Sequence, residues 1–497
     1  MRLINIQSKN TLLLLLILIL GILVRLYFFT GHVFSDDAYY SYLSYTIFNS
    51  DFTGDYLGYP IFPLRIFHLL ITACLYKIFG INETVTILFS FFISIANLIL
   101  TYKFTQLITG NKKIALLSLI LIAFFPTDII FATINFVDLP NVFFINLGIY
   151  FLYKSYKKEE NKLAIVAGIC FFLSMQIKEN IYYTSILLFI MWLYLLMKKK
   201  NLNTQIIIAL IFIVVNVVVE GFVYLILHQD FLYRFTLLSQ NYNYSYYDFF
   251  PYTAQKFSGV KNYWRNLFDQ IFVINCKAIF LRRFYLFLPI LAFFKSFINI
   301  KKREYVLLTY WFLGTLILLI AFTTSFSEYK PLDLTRSWYI YPLLTPAIIL
   351  SAITLNQLKK YIKYILIVIY ISGGIIMSTH YEIYFNRVNI NSLKLFMTGY
   401  PEKRIFTDHF TKYSVDLIRN YADLTNSERI LGIDFDWRKV HPGEWVLFNK
   451  KHIEELIMQG YQFPNFSTLS SESFKKIEQF GDFIIYKKVQ EEVHHSE

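Results

Sequence analysis

The sequence predicts a mainly α-helical, polytopic membrane protein of about eleven transmembrane helices, with a small α/β extracytoplasmic domain at its C-terminus. Hydrophobic residues make up 56% of the 497 residues and charged residues only 16%, a balance that soluble proteins rarely have. Apolar runs of about 20 residues recur, each long enough to cross a bilayer. After His380 the long apolar runs stop and charged residues become frequent. We therefore predict a membrane domain over residues 1–380 and a C-terminal domain over residues 381–497.

The predicted spans follow from the apolar runs and from the Lys and Arg clusters between them. Such clusters favour the cytoplasmic side, which places the N-terminus in the cytoplasm and the C-terminal domain outside the cell membrane. Segment 61–79 is also apolar, but a crossing there would put every later basic cluster outside. We therefore predict an interfacial or re-entrant helix at 61–79. The predicted spans are 11–29, 83–102, 113–131, 137–153, 163–177, 181–197, 205–227, 283–298, 305–324, 338–356 and 361–379.

The composition also narrows the classes of partner. The formal net charge is +13, but the cytoplasmic clusters explain it, so we predict the lipid bilayer and no nucleic acid as a partner. Three cysteines without a C-x-x-C pair predict neither a zinc site nor a disulfide framework. The main outer loops are predicted at about 30–82 and 228–282, and the second is long enough to predict a function or helices of its own.

Short segments of mixed polarity are typical of a small α/β fold in the C-terminal domain. We predict strands at 404–408, 429–435, 444–448 and 483–486, and helices at 414–421, 451–459 and 473–480.

The adjacent carboxylates Asp36 and Asp37, directly after the first span, are the strongest candidates for chemistry. An acid pair at a membrane boundary is costly to place and therefore often functional, although a solvated loop is the plain alternative.

Further charged residues are predicted at the same level on the outer face. Asp138 follows the third span, Lys178 closes the fifth and Arg336 opens the tenth. Taken singly, Lys178 could snorkel and Arg336 could anchor at the lipid headgroups. Taken together, these residues describe a site that holds an anion and activates a nucleophile.

In order and spacing these motifs resemble the GT-C superfamily of polyprenyl-phosphate-sugar-dependent glycosyltransferases. Within it they resemble the group that contains the protein O-mannosyltransferases and the aminoarabinose transferase of lipid A. The resemblance covers nearly the whole chain, although the basic-Pro-Pro-Leu of many members is Ile61-Phe62-Pro63-Leu64 here, so that Arg65 takes the basic role. The Trp-Trp-Asp-Tyr-Gly run of the oligosaccharyltransferase branch is absent from the sequence. The matching motifs are Asp36-Asp37-Ala38-Tyr39-Tyr40, Tyr59-Pro60 through Leu64, Pro126 with Asp138, Lys178, and Arg336 through Pro346.

The resemblance implies a glycosyltransferase that moves a hexose or pentose from a polyprenyl phosphate to an acceptor hydroxyl by inverting displacement. It implies Asp36 as the catalytic base, with Asp37 and Asp138 beside it. It implies no required cofactor, although some branches use a divalent cation. The acceptor, whether protein, lipid or glycan, stays open. The donor phosphate and substrate contacts that it implies are Arg65, Lys178, Arg336, Tyr39, Tyr59 and Tyr339.

Two other classes of function are weighed against this one. A transporter or flippase of lipid-linked sugars usually places charges near the middle of the membrane between paired repeats. Here the charges cluster at one face and no repeat is visible, which favours the enzyme. A non-catalytic assembly protein would not need the acid pair.

Overall fold

The structure is a computed structural model that describes most of the membrane domain and parts of the C-terminal domain. The described residues are 2–52, 61–197, 202–243, 287–298, 303–321, 337–380, 387–400, 405–407, 409–421, 440–450, 453 and 473–489. Helices dominate the part of the chain that is described. They are α1 (Arg2–Tyr27), α2 (Asp36–Phe48), α3 (Ile66–Phe79), α4 (Glu83–Thr109), α5 (Lys112–Ala123), α6 (Pro126–Phe131), α7 (Asp138–Lys158), α8 (Asn161–Met175), α9 (Ile181–Met197), α10 (Leu202–His228), α11 (Tyr233–Asn243), α12 (Phe287–Ile298), α13 (Arg303–Ala321), α14 (Ser337–Ile340), α15 (Leu344–Gln357), α16 (Lys360–Thr379), α17 (Arg387–Thr398) and α18 (His409–Ile418).

Five helical segments in the described chain are long and apolar enough to cross a membrane. They are Asn10–Tyr27, Glu83–Thr109, Thr204–His228, Trp338–Gln357 and Lys360–Thr379. The protein is therefore a mainly helical membrane protein, as predicted, while the count of eleven spans stays a prediction. Burial differs sharply among the five, because 83% of the Trp338–Gln357 window is buried against 22% of the Thr204–His228 window. The former lies inside the bundle, and the latter presents an apolar face suited to lipid.

Two of the predicted spans are interrupted where a proline stands near the outer face. The predicted span 113–131 ends its first helix at Ala123, and Pro126 then begins the short α6. The predicted span 338–356 is broken by a 3-10 turn, Tyr341–Leu343, that contains Pro342. Proline has no backbone N–H and fits best at the start of a helix, so each interruption places a new helix start at that point.

A buried polar cluster fixes both interruptions to the first span. Asp128 of α6 pairs with the guanidinium of Arg25 in α1 and accepts a hydrogen bond from Tyr341. Ser94 and Asn97 of α4 also donate to the Asp128 carboxylate, over 2.9 and 3.3 Å. We call Arg25, Ser94, Asn97, Asp128 and Tyr341 the Asp128 cluster. Because Arg25 and Asp128 are fully buried, the cluster joins α1, α4, α6 and the Tyr341–Leu343 turn through hydrogen bonds that converge on the Asp128 carboxylate.

The predicted first outer loop holds two helices, of which only the second was predicted. α2 carries the acid pair in its first turn, and α3 is the apolar segment that we predict to lie at the interface. α2 packs against α3 and against α18 of the C-terminal domain. The helix that begins with the acid pair therefore contacts residues of both predicted domains.

The described part of the C-terminal domain contains a four-stranded sheet in the order β1-β2-β4-β3. The strands are β1 (Ile405–Phe406), β2 (Trp445–Asn449), β3 (Phe474–Phe480) and β4 (Phe483–Lys488). β1 pairs with β2 in parallel, and the other two pairings are antiparallel. The predictions of strands at 404–408, 444–448 and 483–486 are thus confirmed over the described residues. The predicted strand 429–435, and all of the predicted helix 451–459 except Ile453, lie outside them.

One prediction in this domain is wrong, because residues 473–480 form the strand β3 rather than a helix. Phe474, Ile477 and Phe480 recur every three residues, which imitates one face of a helix. An irregularity in the β3–β4 pairing between Lys476 and Glu478 shifts the phase of the strand and removes its period of two. Gly481, at φ +60°, turns the chain into β4 and forms the hairpin.

Candidate active site

A hydrophobic cluster beneath the first outer loop collects the neighbours of four predicted site residues. Its members come from α2, the turn before α3, α3 itself, the residues before α7 and after α8, and α18. They are Ala38, Tyr39, Tyr40, Leu43, Phe62, Leu69, Val137, Ile177 and Tyr413. Val137 precedes Asp138 and Ile177 precedes Lys178, while Ala38 and Phe62 flank Asp36 and Arg65 in the chain. Burial of these apolar neighbours therefore brings Asp36, Arg65, Asp138 and Lys178 together, although they are far apart in sequence. We call these four residues the Asp36 site.

Asp36 is the open carboxylate of the site. Its side chain is exposed, and among the described residues no hydrogen bond or ion pair engages it. Desolvation by the surrounding protein nevertheless raises the pKa of Asp36 above its usual range, although the charges of Arg65 and Lys178 oppose that increase. Asp138 and Asp37 add to it. A carboxylate that is both accessible and crowded by protein lies in a recess, and a raised pKa there suits a general base.

Arg65 is the buried cation of the site. It stands directly before α3, is 4% exposed, and its guanidinium lies 5.4 Å from the ring centre of Tyr40 and 5.3 Å from that of Phe62. No carboxylate in the described part of the chain pairs with it, and its Nε has no hydrogen-bond partner there. A buried guanidinium without a counter-ion is costly, so Arg65 is suited to receive an anion.

Lys178 and Asp138 form an ion pair, with 2.6 Å between Lys178 Nζ and Asp138 Oδ1. Both side chains retain some exposure, at 15% and 11%. Asn141 of α7 donates to the backbone oxygens of Ser174 and Lys178 over 2.9 and 2.8 Å, which fixes the end of α8 beside the start of α7. Lys178, predicted as a phosphate contact, and Asp138, predicted as a catalytic carboxylate, are therefore first partners of each other.

Asp37 differs from Asp36 in every respect that governs reactivity. It is 1% exposed, and its two oxygens accept hydrogen bonds from the backbone N–H groups of Ser35 and Val33 at 2.8 and 2.9 Å. It also pairs with His32 Nδ1. The Asp37 carboxylate is thus occupied by hydrogen bonds and an ion pair to the loop that precedes it.

The other predicted substrate contacts lie in different surroundings. Tyr39 is 2% exposed and packs between Phe62 and Tyr413, with ring centres 5.2 and 4.8 Å away, so its predicted substrate contact is not supported. Tyr339 lies on α14, half-buried against the main core. Arg336 and Tyr59 lie outside the described residues.

A chain of polar contacts beside the site escaped sequence reasoning. His68 Nε2 lies 2.9 Å from Asn135 Oδ1, and Asn135 donates to Ser41 Oγ over 3.2 Å. Ser41 in turn donates to the backbone oxygen of Asp37 over 2.6 Å. The chain connects α3 and the residues before α7 to the helix that carries Asp36. A histidine inside the apolar segment 61–79 is the only trace of it in the sequence.

No group of three or more His, Cys, Asp or Glu side chains converges as metal ligands among the described residues. The dependence on a divalent cation therefore stays a question for experiment.

Comparison with known families identifies what this architecture resembles. The family profile of dolichyl-phosphate-mannose-protein mannosyltransferases matches residues 63–224, about a third of the chain. This range includes Arg65, Asp138 and Lys178. No curated protein sequence matches the chain significantly.

Solved structures extend the likeness to nearly the whole chain. ArnT from Cupriavidus metallidurans bound to undecaprenyl phosphate aligns with 97% of this chain and 98% of its own, with 10% identity and a TM-score of 0.55. The Archaeoglobus fulgidus oligosaccharyltransferase AglB, in complex with an inhibitory peptide and a dolichol-phosphate, aligns with 99% of this chain and 75% of its own, with 12% identity and a TM-score of 0.54. The likeness to these two glycosyltransferases shows a shared fold, and with the family match it confirms the predicted resemblance to the GT-C superfamily.

Proposed function

We propose that this chain, which resembles the GT-C superfamily glycosyltransferases, moves a sugar from a polyprenyl-phosphate donor to an acceptor hydroxyl on the extracytoplasmic side of the cell membrane. One observation carries the proposal. The accessible carboxylate of Asp36 lies close enough to Arg65, Lys178 and Asp138 for their charges to shift its pKa. An open base beside an unpaired buried cation is the pair of groups that transfer from an anionic donor requires.

The donor class is supported by the ligands of the similar structures and by the physics of the membrane domain. ArnT was solved with undecaprenyl phosphate and AglB with a dolichol-phosphate. A polyprenyl-phosphate sugar must keep its tail in lipid while its anionic head reaches the interface. A membrane protein with charged side chains at the level of one face can receive both parts.

Positive charge is required where the bond to the phosphate breaks. The leaving group is a polyprenyl phosphate, which gains negative charge as the bond from the anomeric carbon to its oxygen breaks. Arg65 is the first candidate to bind that charge, because no described carboxylate neutralises it. Lys178 would follow by sharing its ammonium between Asp138 and the phosphate. Arg336 keeps its predicted place at the phosphate as part of the proposal.

The acceptor hydroxyl needs a base, and Asp36 is the group to supply it. The Asp36 carboxylate would take the hydroxyl proton while the acceptor oxygen bonds to the anomeric carbon. The electron pair of the broken bond leaves with the polyprenyl phosphate. A single displacement of this kind inverts the anomeric centre, and a positioned base contributes about 10²- to 10⁴-fold. Asp37 would hold the loop that presents Asp36.

An enzymatic assay with separate donors and acceptors identifies the sugar and the acceptor. Purified protein would be incubated with a polyprenyl phosphate that carries a labelled mannose or aminoarabinose, together with protein, lipid or glycan acceptors in separate reactions. We expect acceptor-dependent release of free polyprenyl phosphate together with labelled product. Movement of intact donor across a vesicle bilayer without its cleavage would support a flippase instead.

We propose that the reaction needs no bound cofactor. Equal rates before and after treatment with a chelator would agree with this, whereas a loss that is restored by one divalent cation would contradict it.

A further inference from the structure

The loop between α1 and α2, residues 28–35, sends one side chain out of the membrane domain. Phe34 is 7% exposed and belongs to the hydrophobic core between α17, α18 and the sheet of the C-terminal domain. Its ring centre lies 4.9 Å from that of Phe483 in β4, and Leu393 and Met397 of α17 belong to the same core. The residue two positions before Asp36 is therefore part of the core of another domain.

The backbone of this loop is held in a strained conformation. Phe34 has φ +58°, a left-handed value that strains the backbone of a bulky residue. The Asp37 carboxylate accepts from the N–H groups of Val33 and Ser35, on either side of Phe34. The acid beside Asp36 thus fixes the conformation that points Phe34 into the C-terminal domain.

A second connection crosses between the same two domains. Glu83, at the start of α4, accepts a hydrogen bond from the backbone N–H of His32 over 2.6 Å and pairs with Lys394 of α17. Gly31 has φ +70°, and a side chain there would collide with the Glu83 carboxylate. The loop is therefore tied to α17 by an ion pair as well as by Phe34.

Aromatic contacts hold α2 itself against the C-terminal domain. The ring of Tyr413 in α18 lies 4.8 Å from that of Tyr39 and 4.4 Å from that of Tyr42. Tyr45 stacks on Tyr421 at 4.2 Å. Asp36 opens a helix whose loop, first turn and last turn all contact the C-terminal domain.

We propose that the C-terminal domain sets the position of the Asp36 carboxylate, and that Phe34 is the positioning residue through which it does so. The inference rests on the proposed function, because it assigns Asp36 as the base. A displacement of about 1 Å at a reacting group can cost on the order of 10²-fold in rate. Removal of the Phe34 side chain from this core would relax the left-handed backbone two residues before Asp36. This change in the backbone would displace the Asp36 carboxylate.

The test compares two phenylalanines of the C-terminal core that are equally buried. Phe448 of β2 is 7% exposed, like Phe34, but belongs to a separate cluster with Phe406, Val446 and Ile484. Phe34→Ala and Phe448→Ala leave comparable cavities in the same domain. In the full-length protein we expect Phe34→Ala to lower kcat about 10- to 100-fold with the donor KM within about threefold of wild type. Phe448→Ala should keep kcat within about threefold. Equal losses in both variants, or no loss in either, would overturn the proposal.

A second measurement does not depend on turnover. Hydrogen exchange at the amides of Val33 and Ser35 reports whether the Asp37 contacts persist. We expect exchange there to accelerate at least tenfold in Phe34→Ala and to stay unchanged in Phe448→Ala. Unchanged protection in Phe34→Ala would contradict the proposal even if its activity fell. If Phe34→Ala does not fold, Phe34→Leu against Phe448→Leu makes the same comparison with smaller cavities.

Different results would overturn the proposed function and the role of the C-terminal domain. A wild-type protein that cleaves no polyprenyl-phosphate sugar overturns the proposed function. An active wild type whose Phe34 and Phe448 variants behave alike leaves that function intact and removes the role of the C-terminal domain.

Discussion

The Asp128 cluster and the Asp36 site each combine an arginine with aspartate, but they differ in the contacts that their charged groups make. In the Asp128 cluster, Arg25 donates to Ser94 Oγ and to the backbone oxygens of Gly21 and Ala123, and it pairs with Asp128. Each nitrogen of its guanidinium has an acceptor. In the Asp36 site, neither Arg65 nor Asp36 forms an ion pair within the described chain, and Asp36 is exposed.

The difference teaches that the number of hydrogen-bond partners around a charged group, rather than the presence of charge, separates a structural ion pair from a site in this fold. Desolvating an ion pair costs several kcal/mol per ion, and the full set of hydrogen bonds at Asp128 offsets that cost. Among the described residues, no carboxylate offsets the corresponding cost at Arg65 in the Asp36 site. A protein keeps such a group where a ligand supplies the missing partner.

The largest effect is expected from Asp36→Asn, which removes the base and keeps its shape. Transfer should fall by about 10²- to 10⁴-fold, because an amide cannot take the acceptor proton. Thermal unfolding of the purified protein should be unchanged, since no described residue bonds to the Asp36 carboxylate. The measurement is the initial rate of polyprenyl phosphate release at saturating donor.

Asp37→Asn is the matched comparison for that variant. It should lower stability, because the Asp37 carboxylate holds the loop and pairs with His32. Turnover by Asp36→Asn near the wild-type rate would remove Asp36 from the role of base.

The second-largest effect is on the stability of the folded protein rather than on its catalytic rate. Asp128→Asn leaves Arg25 buried without a counter-ion and should cost about 3–5 kcal/mol of stability, which denaturant unfolding in detergent measures. The specific activity of the fraction that stays folded should remain within a few-fold of wild type. The double variant Arg25→Met with Asp128→Leu should recover much of the loss. A stable but inactive Asp128→Asn would place this cluster in the catalytic machinery.

The sequence predicted the charged candidates Asp36, Asp37, Asp138 and Lys178, but it could not rank them. Asp36 and Asp37 are identical as a motif, and only the folded loop shows that Asp37 is occupied while Asp36 is open. Tyr39 matches a family motif, yet it is buried by Tyr413, a residue 374 positions further along the chain. Such contacts depend on tertiary packing, which no local pattern records.

The fold was more predictable than the site, because its strongest signals are local. Apolar runs and basic clusters located the helices of the membrane domain. β3 was misread as a helix because an irregular register removed the alternation that marks a strand. The Lys178–Asp138 pair was missed for a different reason, since each partner had a sufficient explanation of its own.

The third effect is on binding of the donor. Arg65→Gln should weaken the affinity for polyprenyl phosphate by about 10-fold or more, because a hydrogen bond to a charged group contributes about 1.5–3 kcal/mol. Lys77→Gln is the control, as Lys77 is an exposed cation on the same helix. Direct binding of polyprenyl phosphate in detergent measures both. Equal affinity in the two variants would argue against phosphate binding at Arg65.

The smallest effect is a shift in the pH dependence of kcat, whose direction depends on the sign of the charge that is removed from the Asp36 site. Asp36 acts in its ionised form, so the rate should rise with pH through its pKa, which burial raises above the usual range. Arg65→Gln removes a charge that lowers this pKa, and the acidic limb of the kcat profile should move to higher pH. Asp138→Asn removes a charge that raises it and frees Lys178, so the limb should move to lower pH. Shifts in the same direction would show that the limb belongs to another group, because one carboxyl cannot respond alike to the loss of opposite charges.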